Sequence, residues 1–288
     1  TGSLGVTVWG SGPVDLAVSS VSGLLSAGGN IAEISAFNGV GNYIIEAAGF
    51  IGDVETTVGS IGMATSATVT IDHHLYSWTD EVVFNTGALV IAGGEGIEDI
   101  TAGLNIGSPD LLAVNVGGLD VTMAGGTVEL HAVTGAIGDI TAVGGGILNI
   151  KAVAKTEMGN VTASEDIFGT YIVENGDMGD IISEAGNIGI CSNPVVLRVS
   201  GAITIDPETL EYSGGTEDPA IGRIYAIIGD IALDVETAGS IGVDGGEGLI
   251  GGIAAPIGEI CALLKVGGNI GGISAHEVFL DPDSVILG

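Results

Sequence analysis

The sequence predicts an all-β chain wound as a parallel β-helix, a β-solenoid of short strands and glycine-rich corners, and three observations carry the prediction. A degenerate unit, Gly-(Asn/Asp/Ser/Ala)-Ile-Gly-x-Ile-x-Ala, recurs along the chain, with its clearest copies at residues 29–36, 135–142 and 268–275. Of the 288 residues 52 are glycine, while aromatic residues contribute only 4%. Apolar residues reach 46% and are spread over the whole length, which suits a chain that buries a core rather than a disordered acidic tail. Copies stand at both ends, so residues 1–288 read as one repetitive domain.

In chain order, Leu4, Val6 and Val8, then Val14, Leu16 and Val18, alternate as strand residues do. Copies of the unit follow at 29–36 and, shorter or altered, from Gly59, Gly96, Gly176, Gly186, Gly229 and Gly239. Through the middle, Gly117, Gly126, Gly135 and Gly145 stand nine or ten residues apart, room for one short strand and one turn. Helix is disfavoured at this glycine density, since each interior glycine costs about 1 kcal/mol relative to alanine; residues 259–265 alone have mild helical character. The irregular stretches 72–85 and 207–219 leave room for the rival fold, an antiparallel β-sandwich. Val278-Phe279-Leu280 and Val285-Ile286-Leu287 read as strands again.

Inside each copy two isoleucines stand three apart. On a flat strand they would point to opposite faces, so both enter one core only if the chain turns a corner between them. Gly138-Asp139, between Ile137 and Ile140, is such a corner, with glycine supplying backbone freedom and aspartate facing water; Thr141 then faces out and Ala142 in. Three strands per turn of the solenoid, the preferred count, give about 27–30 residues per turn and roughly ten turns; two strands per turn give about fourteen, each turn rising ~4.8 Å.

The Gly-x-Ile-Gly-x-Ile-x-Ala unit resembles the repeats of secreted parallel β-helix proteins, a broad group of surface-layer, adhesin and filament-forming proteins and some polysaccharide-degrading enzymes. The resemblance covers most of the chain and implies an extracellular or cell-surface setting. A start at Thr1, without Met, fits a processed mature protein or an excised domain.

Charge excludes several partners. The chain carries 36 acidic side chains against five basic ones, Lys151, Lys155, Arg198, Arg223 and Lys265, for a net charge of −31. Nucleic acid is not an expected partner, because phosphate neutralisation needs lysine and arginine. Membrane insertion is not expected either, since no apolar run reaches the roughly eighteen residues of a spanning helix. Self-repulsion of the acidic chain calls for salt or divalent cations, and calcium is the candidate ion. Its candidate ligands are Asp281 with Asp283, Asp177 with Asp180, and Glu217-Asp218; no cofactor is required.

Chemistry-bearing motifs are sparse. Asp72-His73-His74 is the densest ligand cluster, but adjacent strand histidines face opposite ways, and only His131 and His276 lie elsewhere. Residues 246–251 match G-x-G-x-x-G without the strand and helix that give the pattern meaning, and 93–96 and 245–248 read as turns. Arg198 and Arg223 read as outward charges on strands, and catalysis is not expected. Cys191 and Cys261 are 70 residues apart, at least two turns of a solenoid, which places them near or beyond the ~7 Å limit for a disulfide and favours free thiols.

Neither end reads as a cap. The expectation is a non-enzymatic structural subunit that forms a homo-oligomer or polymer, an extracellular filament or surface layer, through Leu4, Val6 and Val8 at one end and Val278, Phe279, Leu280, Val285, Ile286 and Leu287 at the other. The alternatives are a calcium-dependent adhesin-like module of a larger secreted protein, and a β-helix polysaccharide-degrading enzyme.

Overall fold

The computed structural model describes residues 4–8, 23–36, 39–40, 43–62, 65–72, 79–86, 89–107, 111–116, 119–123, 128–199, 204–205, 212–213, 221–242 and 252–286. All regular structure among them is β, with no helix, and 21 strands between Leu4 and Ile286 join in one sheet. Every pairing within that sheet is parallel, which sets the antiparallel sandwich aside. Residues 259–265 lie in the strand Ile253–Val266, not in a helix.

Four columns of stacked apolar residues run through this sheet. Ile137, Met158, Met178, Ile221 and Ile241 are successive partners in the first, and Ile140, Val161, Ile181, Ile224 and Ile253 in the second. Ile147, Ile167, Ile188, Ile231 and Ile260 form the third; Leu130, Ala152, Tyr171, Leu197, Val235 and Leu264 form the fourth. Nearly all of them are completely buried and belong to one core cluster. The second column passes through Val6, Ile34, Val54, Ile100, Ile140, Val161, Ile181, Ile224, Ile253 and Ile273, so ten repeats stack among the described residues.

The repeat is shorter than the spacing of glycines predicts. Where nothing interrupts it, equivalent corner residues are 21 and then 20 residues apart, from Asp139 to Asn160 to Asp180, instead of 27–30. The long steps, 46 residues from Asp53 to Asp99 and 40 from Asp99 to Asp139, contain antiparallel hairpins, Thr65–Asp72 with Thr79–Thr86 and Leu111–Val116 with Leu119–Met123. The 43-residue step from Asp180 to Arg223 holds a third, Thr204–Ile205 with Tyr212–Ser213. Antiparallel structure thus occurs locally: two of the three hairpins overlap the irregular stretches 72–85 and 207–219, and the third, with strands Leu111–Val116 and Leu119–Met123, falls where the glycine spacing predicts strands of the stack. Gly62 and Gly107, with φ of 77° and 73°, follow third-column isoleucines where the chain departs toward the first two hairpins. A side chain is strained at those angles.

Corners explain the recurring order of residue types within the unit. Ile137 and Ile140 are both buried, as a corner at Gly138-Asp139 requires. Around the next corner, Gly159 N–H bonds to Ile137 O at 2.9 Å and Val161 N–H to Asp180 O at 2.8 Å, so backbone ladders satisfy both. The N–H between them, at Asn160, is taken by the Asp139 side chain, Oδ1 accepting at 2.7 Å. The pattern repeats up the stack: Asp139 N–H donates to Asp99 Oδ1 at 2.8 Å, Asp180 N–H to Asn160 Oδ1 at 2.9 Å, and Arg223 N–H to Asp180 Oδ1 at 2.6 Å. A second corner is built the same way, with Asn187, Asp230 and Glu259 N–H donating to Asp166, Asn187 and Asp230 Oδ1 at 2.7, 2.8 and 2.8 Å.

Glycine before the corner residue is needed for space rather than for backbone freedom. A Cβ on Gly159 would lie 2.3 Å from Asp139 Oδ1 and 2.7 Å from the Gly138 carbonyl carbon. Gly138, Gly179 and Gly222 meet the corner side chain of the preceding repeat in the same way, at 2.3, 2.7 and 2.5 Å. Each aspartate or asparagine therefore lies over the glycine of the next repeat.

The core contains one polar exception. Tyr171 is fully buried, and its hydroxyl has no hydrogen-bond partner among the described residues. Its column neighbour Ala152 is the smallest residue of that column, which offsets the bulk of the ring. Burial also drives its ionisation far above the ordinary tyrosine range, so the phenol stays neutral.

Two stability predictions follow from this packing. Gly159→Ala forces the corner apart and lowers unfolding free energy by about 1–3 kcal/mol, whereas Gly28→Ala, with nothing within 4 Å of the new methyl, changes it by less than about 0.5 kcal/mol. Tyr171→Phe removes an unsatisfied buried hydroxyl and raises stability by about 1 kcal/mol. Urea denaturation of the three variants reads both effects.

Candidate functional site

The terminal repeat presents the largest departure from the pattern of the interior. Third-column residues are buried in repeat after repeat, ending with Ile260 at 0% exposure, but its partner Val278 in the last strand is 43% exposed. Phe279, Leu280 and Ile286 are likewise 52%, 42% and 46% exposed, while Val285 is half-buried. The cause is topological: Ile273–Leu280 and Val285–Ile286 pair with Ile253–Val266, and no described strand lies on their far side. Ile270, Ile273 and Ala275 pack against the core cluster but are only partly buried, so the exposed surface is a cross-section of the core.

At the opposite end Leu4–Val8 pairs with Ile31–Ala36 and Gly23–Ala27 with Tyr43–Ala47, again each with one described neighbour. Leu4, Val6 and Val8 are thus placed on a terminal strand, as the sequence predicts. Leu287 lies outside the described residues.

The five cations are placed beside carboxylates across the stack. Arg198 reaches Asp234 at 2.8 Å and Glu236 at 3.8 Å, Lys155 pairs with Glu174, and Lys151 and Lys265 are the ladder partners of Glu129 and Glu236. Arg223 donates from Nε to Asp180 Oδ2 at 3.0 Å, and that bond raises the guanidinium still further above its ordinary value. Asp180 is thereby committed to Arg223 through both of its oxygens.

Two other candidate calcium ligands have described contacts. Asp281 Oδ1 accepts the Asp283 N–H at 2.8 Å within a turn, and the Asp177 carbonyl accepts the Met158 N–H at 3.0 Å. Glu217-Asp218 falls outside the described residues. No group of three or more His, Cys, Asp or Glu side chains is placed to share a metal among the described residues. His131 stands 3.2 Å from Glu129 on its own strand, and His276 is exposed on the last strand. Asp72 ends a hairpin strand; His73, His74 and residues 245–251 are outside the described set.

Cys191 and Cys261 are both free thiols, as the sequence predicts, and they line one shallow cleft of about 340 Å³ with Asp281, Phe279 and Leu280. Cys191 lies in a tight turn in which Ile190 and Asn193 exchange two backbone hydrogen bonds, of 3.1 and 2.8 Å. Asn193-Pro194 is the sequence signal for that turn. Hydrogen bonding to Cys191 first, then partial burial, then the negative charge of Cys191 and Asp281, push the Cys261 thiol up to about 11.

No helix among the described residues is long and apolar enough to cross a membrane. Comparison of the chain with models of protein families, with curated proteins and with solved structures gives no match in any of the three.

Proposed function

We propose that the chain is a parallel β-solenoid acting as a non-enzymatic structural subunit outside the cell, polymerising end to end into a filament or surface layer. The observation that carries the reading is the third column: the position that is buried in each interior repeat is open at Val278, beyond which no described strand stacks. A second copy whose first strands continue the ladders supplies the next repeat. Covering four half-exposed apolar side chains stabilises the junction by roughly 1 kcal/mol apiece, with strand hydrogen bonds fixing the register. The interface is head-to-tail, so the stacking propagates instead of closing on a pair.

Charge favours the same setting. With −31 on each copy, junctions form only where ionic strength or divalent cations screen the repulsion, as in an extracellular medium. Calcium acts here as a screening cation.

Electron microscopy of the chain in high salt tests the reading. Filaments with an axial repeat of about 48 Å, ten repeats at ~4.8 Å each, are expected, and fewer of them at low salt. The double variant Val278→Asp, Leu280→Asp should remain monomeric, with thermal unfolding within a few degrees of the parent. A parent chain that stays monomeric in both salt and calcium, or a variant that assembles as the parent does, overturns the proposal.

A further inference from the structure

We propose that Cys191 and Cys261 form a redox modification site, which a low-molecular-weight disulfide converts into an intramolecular disulfide stapling the last repeats together. Both cysteines belong to one chain, so the link needs no second copy, and Phe279 and Leu280 border both the cleft and the proposed junction.

Placement carries it. Cys191 is exposed at the tip of the turn 190–193, and Cys261 is half-buried on the strand Ile253–Val266. Between them in the stack lies Ala232, the ladder partner of Cys261, whose N–H bonds to Ile188 O at 2.7 Å. Both thiols line one cleft open to solvent. A small disulfide reaches the exposed sulfur of Cys191 first, and the second thiol lines the same cleft.

The exchange balances without further reactants. The Cys191 thiolate attacks one sulfur of the small disulfide, forming a mixed disulfide and expelling one thiolate. Cys261 gives up its proton to solvent and attacks the Cys191 sulfur, forming the internal bond and expelling the second thiolate. Two cysteine thiols are oxidised, one small disulfide is reduced to two thiols, and the two protons end on the released thiols. The product joins the repeat containing Val195–Val199 directly to the strand that holds Ile273–Leu280, since Cys261 and Phe279 are ladder partners. Closing a long loop restrains the unfolded chain most.

The probe is oxidised glutathione added to the whole chain, followed by acid quench and intact mass. The expected product has lost two hydrogens, contains a peptide linking Cys191 to Cys261, and unfolds roughly 10 °C higher than the reduced protein. Cys261→Ser should instead retain glutathione on Cys191. Stable glutathione adducts or interchain dimers on the parent without the internal link would overturn the site; a linked product with unchanged unfolding temperature would overturn the staple.

Discussion

The structure depends on one interlock, the corner at which an aspartate or asparagine of one repeat covers the glycine of the next while its Oδ1 takes the N–H that the backbone ladders leave over. Asp139 does this for Gly159 and Asn160, and Asn160 does it in turn for Gly179 and Asp180. The contact has two halves, one attractive and one steric, and neither tolerates a shift along the stack. Parallel strands alone slide in register when their faces are uniformly aliphatic. The interlock pins each repeat to its neighbour, and the four apolar columns then fall into line behind it.

That single constraint accounts for two features of composition with no evident connection in the sequence. Glycine is abundant because a Cβ at each corner would strike the side chain above it. Acid is abundant in part because Oδ1 of aspartate is the acceptor that the corner uses, as at Asp99, Asp139 and Asp180. Stacked carboxylates repel one another, and the described ladder eases this with Asn160 between two aspartates and Arg223 beyond Asp180. The few cations are spent beside acidic partners.

Much of this was legible from the residues. Ile137-Gly138-Asp139-Ile140 demanded a corner from the spacing of its isoleucines, and Val278-Phe279-Leu280 and Val285-Ile286 read as strand, which they are. The repeat length was not legible, because the hairpin at 111–123 carries glycines at nearly the spacing of a strand and turn, and local sequence does not distinguish a hairpin leaving the stack from a strand within it. Residues 259–265 lack the glycine punctuation of other strands, so they read as helix until paired with Ile231–Thr237. The reason for glycine at the corners was also hidden: a collision with a side chain 20 residues away leaves no local signal.

Hydrogen exchange at the corner amides tests the interlock most directly. Asp139, Asn160 and Asp180 stand at solvent-facing corners, where an amide bonded to nothing exchanges within seconds. The account predicts that these amides are protected as strongly as those of Val161 and Ile181 in the adjoining ladders, and that Asp139→Ala releases Asn160 alone among them. Exchange of all three at the rate of an open loop would contradict the claim that the corner holds the repeats in register.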